Sequence, residues 1–215
     1  MAIVDVAMER LEPGMIGFIK RVAKRFVKDV TLGLVFPLAY RYFRENLLCE
    51  ARSFLRNEGN GHCPIVLNCC LSGLEMIRES PRYLTLNQNH VSYIQYLKNS
   101  VRALHDISRV EVVFLSDASD LVSCIQLRPE TRVVQLWHAC GAFKKWGMST
   151  AELKFGGSKK DLLKHPFYKN LSLVTVSSPE VAWAYEDAMV LQDTPEIIKP
   201  LGVSRTDVFF DQEFL

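Results

Sequence analysis

The sequence predicts an α/β fold: a parallel sheet with helices on both faces, preceded by a helical segment. Two observations carry this. Short apolar runs of strand length recur from residue 64 onward with helix-forming stretches between them, and β-α-β order builds parallel sheets. Before residue 57 the apolar residues recur at helical spacing instead. A chain of 215 residues is long enough for one sizeable domain or two small ones.

The helical segment spans residues 1–57. Within it, Ile16, Ile19, Val22, Ala23, Phe26, Val27 and Val30 mark one face of a helix over 15–30. Lys20, Arg21, Lys24, Arg25 and Lys28 fall between them. Such a basic amphipathic helix suits an anionic membrane surface. The alternative is a solvated face on a helix packed against the domain. An apolar run over 31–40, which Pro37 is expected to break, leans toward membrane contact. A polar helix over 40–56 follows, then the linker Asn57-Glu58-Gly59-Asn60-Gly61.

The second unit spans 61–215. Its first strand is expected over 64–70, with a turn at 87–89 and a helix over 91–104. Strands over 110–115, 132–137 and 171–176 come next, with a short helix through Ile125 that Ser116 and Asp117 can cap. Ser177-Ser178-Pro179-Glu180 reads as a helix start, with a hydroxyl cap and proline in the first turn. A last strand over 196–201 is weakened by Pro200.

Composition excludes several classes. A net charge of +2 is too small to mark a nucleic-acid binder, and no nucleic-acid partner is expected. Six cysteines, at 49, 63, 69, 70, 124 and 140, show no paired C-x-x-C spacing and read as reduced, mostly buried thiols in a cytosolic compartment. Asp5 interrupts what a signal peptide would keep apolar. The longest apolar run is about half the roughly 20 residues that a spanning helix needs. The histidines have no ligand-like spacing, so neither a metal site nor a cofactor is expected.

In a parallel sheet, ligands bind beyond the carboxyl ends of the strands. Three such ends stand out. After Trp137 comes His138, then the small residues 139–142, then Lys144 and Lys145. After the 171–176 strand come Ser177 and Ser178, at a helix N-terminus able to attract an anion. After the last strand come Arg205, suited to bidentate phosphate contact, and Asp207. An imidazole, a tight backbone and cations on one edge suit phosphate chemistry. Each residue has a plainer reading: His138 bonded to a backbone carbonyl, solvated lysines, serines as caps, and Arg205 paired with Asp207.

The stretch Gln135-Leu136-Trp137-His138 with Lys144 resembles the tryptophan-histidine motif of the CDP-glycerol glycerophosphotransferases, the teichoic acid primases and polymerases. Residues 201–210, LGVSRTDVFF, are similar to that family's Gly-x-x-Arg-x-Asp motif, and 174–178 to its serine-containing strand end. The matches cover about residues 108–215. Ala139 and Cys140 stand where the commonest form of the motif has glycine and threonine.

The resemblance implies a GT-B-like enzyme of two Rossmann-like domains. Its N-terminal half would be this chain. The C-terminal, donor-binding domain is expected outside it, with a separately encoded domain as a candidate partner. The implied reaction moves glycerol phosphate from CDP-glycerol to a lipid-linked polyol-phosphate acceptor at the cytoplasmic face of the plasma membrane. His138 would be the base, with Lys144, Lys145, Ser177, Ser178, Arg205 and Asp207 binding substrate. The alternatives are an inactive remnant, a membrane-bound interaction module, or half of another nucleotide-sugar transferase.

Overall fold

The computed structural model describes residues 13–46, 65–67, 83–84, 92–110, 112–203, 206 and 209. The 57–61 linker and the 87–89 turn lie outside the described residues.

Proline lacks the amide that a first helical turn leaves unpaired, which suits Pro13 to open helix α1, Pro13–Val30. A π turn, Thr31–Val35, leads without a break into α2, Phe36–Asn46. The expected break at Pro37 does not occur. The Phe36 amide reaches back five residues to the Thr31 carbonyl. This wider turn, directly before the proline, accommodates a residue with no amide donor and a bulky ring.

The sheet has six strands: β1, Ile65–Leu67; β2, Tyr83–Leu84; β3, Val112–Leu115; β4, Arg132–Gln135; β5, Leu173–Thr175; and β6, Ile198–Lys199. Their order is β2-β1-β3-β4-β5-β6, and every pairing is parallel. The α/β expectation holds. Among the described residues, four helices punctuate the strands: α3, Tyr93–Ile107; α4, Asp120–Ser123; α5, Lys159–Lys164; and α6, Ala182–Met189. Ser119, not Ser116 or Asp117, caps α4, its hydroxyl accepting from the Val122 amide at 3.3 Å. Asn170, left-handed at φ 70°, closes the other end by donating to the Val122 and Ile125 carbonyls, each at 2.8 Å. Asparagine is among the few residues that tolerate that conformation.

One core joins the helical segment to the sheet. Leu32, Phe36 and Tyr40 are buried with Tyr96, Leu104 and Ile107 of α3 and with Val113, Leu115 and Val133 of the strands. Each such side chain contributes roughly 1.5–3 kcal/mol by leaving water. A second cluster, Trp137, Val174, Val176, Tyr185, Met189, Leu191 and Ile198, packs α6 on β5 and β6.

Helix α1 is held differently, by charge. Arg25 pairs with Asp161, Lys28 with Asp120 at 3.4 Å, and Asp29 with both Lys164 and His165, the latter at 2.7 Å. The Lys164 hydrogen bond, then His165, holds the Asp29 carboxyl at about 2, below its ordinary 3.8. A depressed carboxyl stabilises the fold above its ordinary value and loses that effect as pH falls through the folded one.

Two outcomes follow. Asp29→Asn should lower the urea midpoint at pH 6, and the difference from the parent should shrink steadily between about pH 4 and pH 2. A difference independent of pH would show that the carboxylate charge is not what matters. Val190 ends α6 in the left-handed conformation at φ 57°, which a β-branched residue adopts at a cost of about 1–2 kcal/mol. Glycine carries no such penalty but loses more chain entropy on folding. Val190→Gly should therefore raise unfolding free energy by about 0.5–1 kcal/mol in urea titrations.

Candidate functional site at the carboxyl edge of the sheet

Strand β4 stops two residues sooner than the sequence reading has it. Leu136 still donates to the Leu115 carbonyl at 2.8 Å, but Trp137 turns left-handed at φ 59°. For a bulky side chain this is an outlier, and it persists only where the surroundings over-determine it. Here they do. Trp137 donates its amide to the side-chain carbonyl of Gln135 at 3.1 Å. Its indole stacks on Trp146, 4.3 Å between centroids, and meets Tyr168 and Tyr185 edge-on at 6.5 and 6.2 Å. Thr175 holds the Leu136 carbonyl from the β5 side with a 3.2 Å hydrogen bond.

The turn at Trp137 delivers His138 onto the carboxyl edge. Its ring stacks on the Trp137 indole at 4.5 Å, and Nδ1 lies 2.9 Å from the Ser116 carbonyl beyond β3. A carbonyl can only accept, so Nδ1 carries the hydrogen and, in the neutral ring, Nε2 carries the lone pair. The plainer reading of this histidine, a bond to a backbone carbonyl, is what the structure shows. The same bond selects the tautomer that a base at this position would need.

The other sequence-derived residues divide. Lys144 and Lys145 lie exposed in an irregular loop beside Phe143, which is 90% exposed. Ser177 is exposed at the end of β5, next along the edge from the His138 loop. Ser178 takes the cap position before the short 3-10 turn Pro179–Val181, but its hydroxyl makes no cap bond. In that tight turn the Val181 amide goes to the Ser178 backbone carbonyl instead. The Ser178 hydroxyl instead holds the Glu180 carboxyl below its usual range. Arg205 and Asp207 lie outside the described residues. The loop leading to them is anchored on the same edge, with the Gly202 amide donating to the Val176 carbonyl at 3.0 Å.

Several residues escaped the sequence reading. Gln135 is fully buried and polar. Trp146 and Tyr168 complete the aromatic bed under Trp137. Burial, helped by Asp117 and Asp120, pushes the Tyr168 hydroxyl upward, so it stays protonated. Gly147, at φ 55°, lets this loop dock on α6: a Cβ there would stand 2.3 Å from the Ala188 carbonyl oxygen. A buried polar residue within an apolar strand was the one available signal, and it marks Gln135 alone. Among the described residues no cluster of three or more His, Cys, Asp or Glu could hold a metal ion. Burial, then Asp120, pushes the Cys124 thiol up to about 12, which disfavours the nucleophilic thiolate.

Comparison with known proteins bears on the family and the fold. The family described as CDP-Glycerol:Poly(glycerophosphate) glycerophosphotransferase matches residues 77–214. A teichoic acid ribitol-phosphate primase of Bacillus spizizenii is 34% identical over 120 residues, 56% of this chain and 30% of the relative. A teichoic acid poly(ribitol-phosphate) polymerase of the same organism is 26% identical over 97% of this chain and 32% of its own length. The chain thus spans about a third of the length of these curated relatives. The solved structure of the wall teichoic acid polymerase TagF superposes with a TM-score of 0.52 at 14% identity, covering 89% of this chain and 48% of the polymerase.

Proposed function

We propose, because this chain belongs to the CDP-glycerol:poly(glycerophosphate) glycerophosphotransferase family, that it forms the acceptor side of a transferase active site. Glycerol phosphate would pass from CDP-glycerol to a hydroxyl on a lipid-linked acceptor in teichoic acid synthesis. The observation that carries this reading is the hydrogen bond from His138 Nδ1 to the Ser116 carbonyl, which sets Nε2 as proton acceptor.

In that reading His138 Nε2 takes the proton of the acceptor hydroxyl. The oxygen attacks the phosphorus that bears glycerol, the bond between the two phosphates breaks, and CMP leaves with the electron pair. Proton removal by a positioned imidazole is worth roughly 10²–10⁴-fold. Charge gathers on the transferring phosphoryl group, and cations and oriented amides stabilise it. Lys144, Lys145 and Arg205 are the candidate cations; Ser177, Ser178 and Asp207 would order the substrate and the loops around it. The donor-side wall of the cleft would come from a second domain. The two Bacillus spizizenii relatives, named for ribitol phosphate, favour a second reading in which ribitol phosphate is the group moved.

The same proposal includes peripheral attachment to the cytoplasmic face of an anionic membrane. Its support is α1. Met15, Phe18, Ile19, Val22 and Phe26 form one stripe of that helix, and all are exposed, Phe26 by 67%. No helix among the described residues is long and apolar enough to cross a membrane. An amphipathic helix of this kind lies in the interface, with basic residues adding about 1 kcal/mol each near the surface.

Two measurements test these points. With a donor-side domain supplied, CMP release from CDP-glycerol should fall at least roughly 10²-fold in His138→Ala. Near-parental release would remove His138 as base, and faster turnover of the ribitol donor would select the second reading. The parent should sediment with anionic vesicles at low salt, and the triple variant Phe18→Ser, Val22→Ser, Phe26→Ser should stay in the supernatant. Equal sedimentation of both would move the membrane contact away from α1.

A further inference from the structure

We infer that Gln135 is a positioning residue: its buried amide sets the orientation and tautomer of the His138 ring. This rests on the reading of His138 as general base, and deepens it. Gln135 is the last residue of β4 and its side chain is fully buried. Its two amide atoms do opposite things. Nε2 donates to the Asp117 carbonyl at 3.2 Å, and Oε1 accepts the Trp137 amide at 3.1 Å. Both partners are backbone groups with fixed roles, one an acceptor and one a donor, so one orientation of the amide satisfies both.

Those partners flank the two ends of the imidazole's own hydrogen bond. Asp117 directly follows Ser116, whose carbonyl receives His138 Nδ1; Trp137 directly precedes His138. One side chain therefore ties the loop that supplies the acceptor to the loop that supplies the ring. It also supports the left-handed Trp137 backbone, a strained conformation that persists only where its surroundings over-determine it. Leucine or methionine would fill the same space and pack as well. A residue with one donor and one acceptor at its tip is needed only if the relative place of the two loops matters. The geometry thus gives a buried polar group, costly to bury unpaired, a purpose that packing does not.

The chemistry separates this role from a merely structural one. Methionine at 135 keeps the volume and removes both bonds. Glutamate keeps the acceptor toward Trp137 and, when protonated, restores the donor toward Asp117. Burial favours that neutral form, which ionises as pH rises.

The experiment is proton–nitrogen correlation of the His138 ring in nitrogen-labelled protein, comparing the parent with Gln135→Met and Gln135→Glu, with circular dichroism as the fold control. The parent should show hydrogen on Nδ1. Folded Gln135→Met should show a mixture of tautomers. Gln135→Glu should resemble the parent at neutral pH and drift toward the mixture as pH is raised. In the transfer assay, Gln135→Met should lose about 10–100-fold in kcat with little change in KM, and Gln135→Glu should recover much of it near neutral pH and lose it at alkaline pH. An unchanged tautomer in folded Gln135→Met overturns the inference, as does loss of fold in both variants, which would make Gln135 a core bond and nothing more. The ring measurement needs no turnover, so it decides on Gln135 even if His138→Ala leaves transfer intact.

Discussion

Everything at the carboxyl edge depends on how the chain leaves β4. A strand that simply continued past Gln135 would carry His138 along the sheet, beyond reach of the Ser116 carbonyl. The left-handed step at Trp137 redirects it. That step is unfavourable on its own, and the surrounding bonds are what hold it: Leu136 pinned from β3 and β5, the Trp137 amide on Gln135, the indole sandwiched between an imidazole and a second indole. Backbone strain of this kind gathers where a side chain has to be aimed rather than packed.

The helical segment follows a different logic. Its second half enters the sheet's own core through Leu32, Phe36 and Tyr40. Its first half is attached through Arg25, Lys28 and Asp29, while the apolar stripe faces outward. This reverses the usual arrangement of a surface helix. A cavity of about 750 Å³ lies between α1 and the body, lined by Lys24, Arg25 and Lys28 on one side and by Tyr93, Tyr96 and Asp120 on the other. Thr31, buried in the π turn, bonds to Tyr93 at 2.9 Å where the two modes of attachment meet.

Five of the six strands were legible because hydrophobic period and turn residues are local signals, and β1 and β3 to β6 fall inside the runs that marked them; the two-residue strand β2 and the six-residue helix α5 are too short to carry such a signal and were not expected. Boundaries were less so. The end of β4 depends on a backbone angle at Trp137 that no tryptophan advertises. The cap of α4 fell on Ser119 rather than Ser116 because three candidate cap residues lie within four positions. Ser178 looked like a hydroxyl cap until a 3-10 turn changed which amide was available. Within the site, His138 could be found from its motif. Tyr168 and Trp146 could not, since what brings them under Trp137 is the docking of a long irregular loop. Gln135 stood in view within the motif, but its worth lies in two backbone partners, 18 and two residues away, that only the fold reveals.

Two of the bonds that assemble this edge also reach far along the chain. His138 reaches back 22 residues to Ser116, and Thr175 reaches back 39 to Leu136. Each closes a large loop, whose entropy must be given up before any contact rewards it. No short fragment of the chain can therefore hold the imidazole in place. The parallel pairings beneath the edge close loops of the same length, so edge and sheet depend on the same long-range contacts. The geometry of one histidine ring is then a sensitive reporter of whether the whole domain has reached its native state.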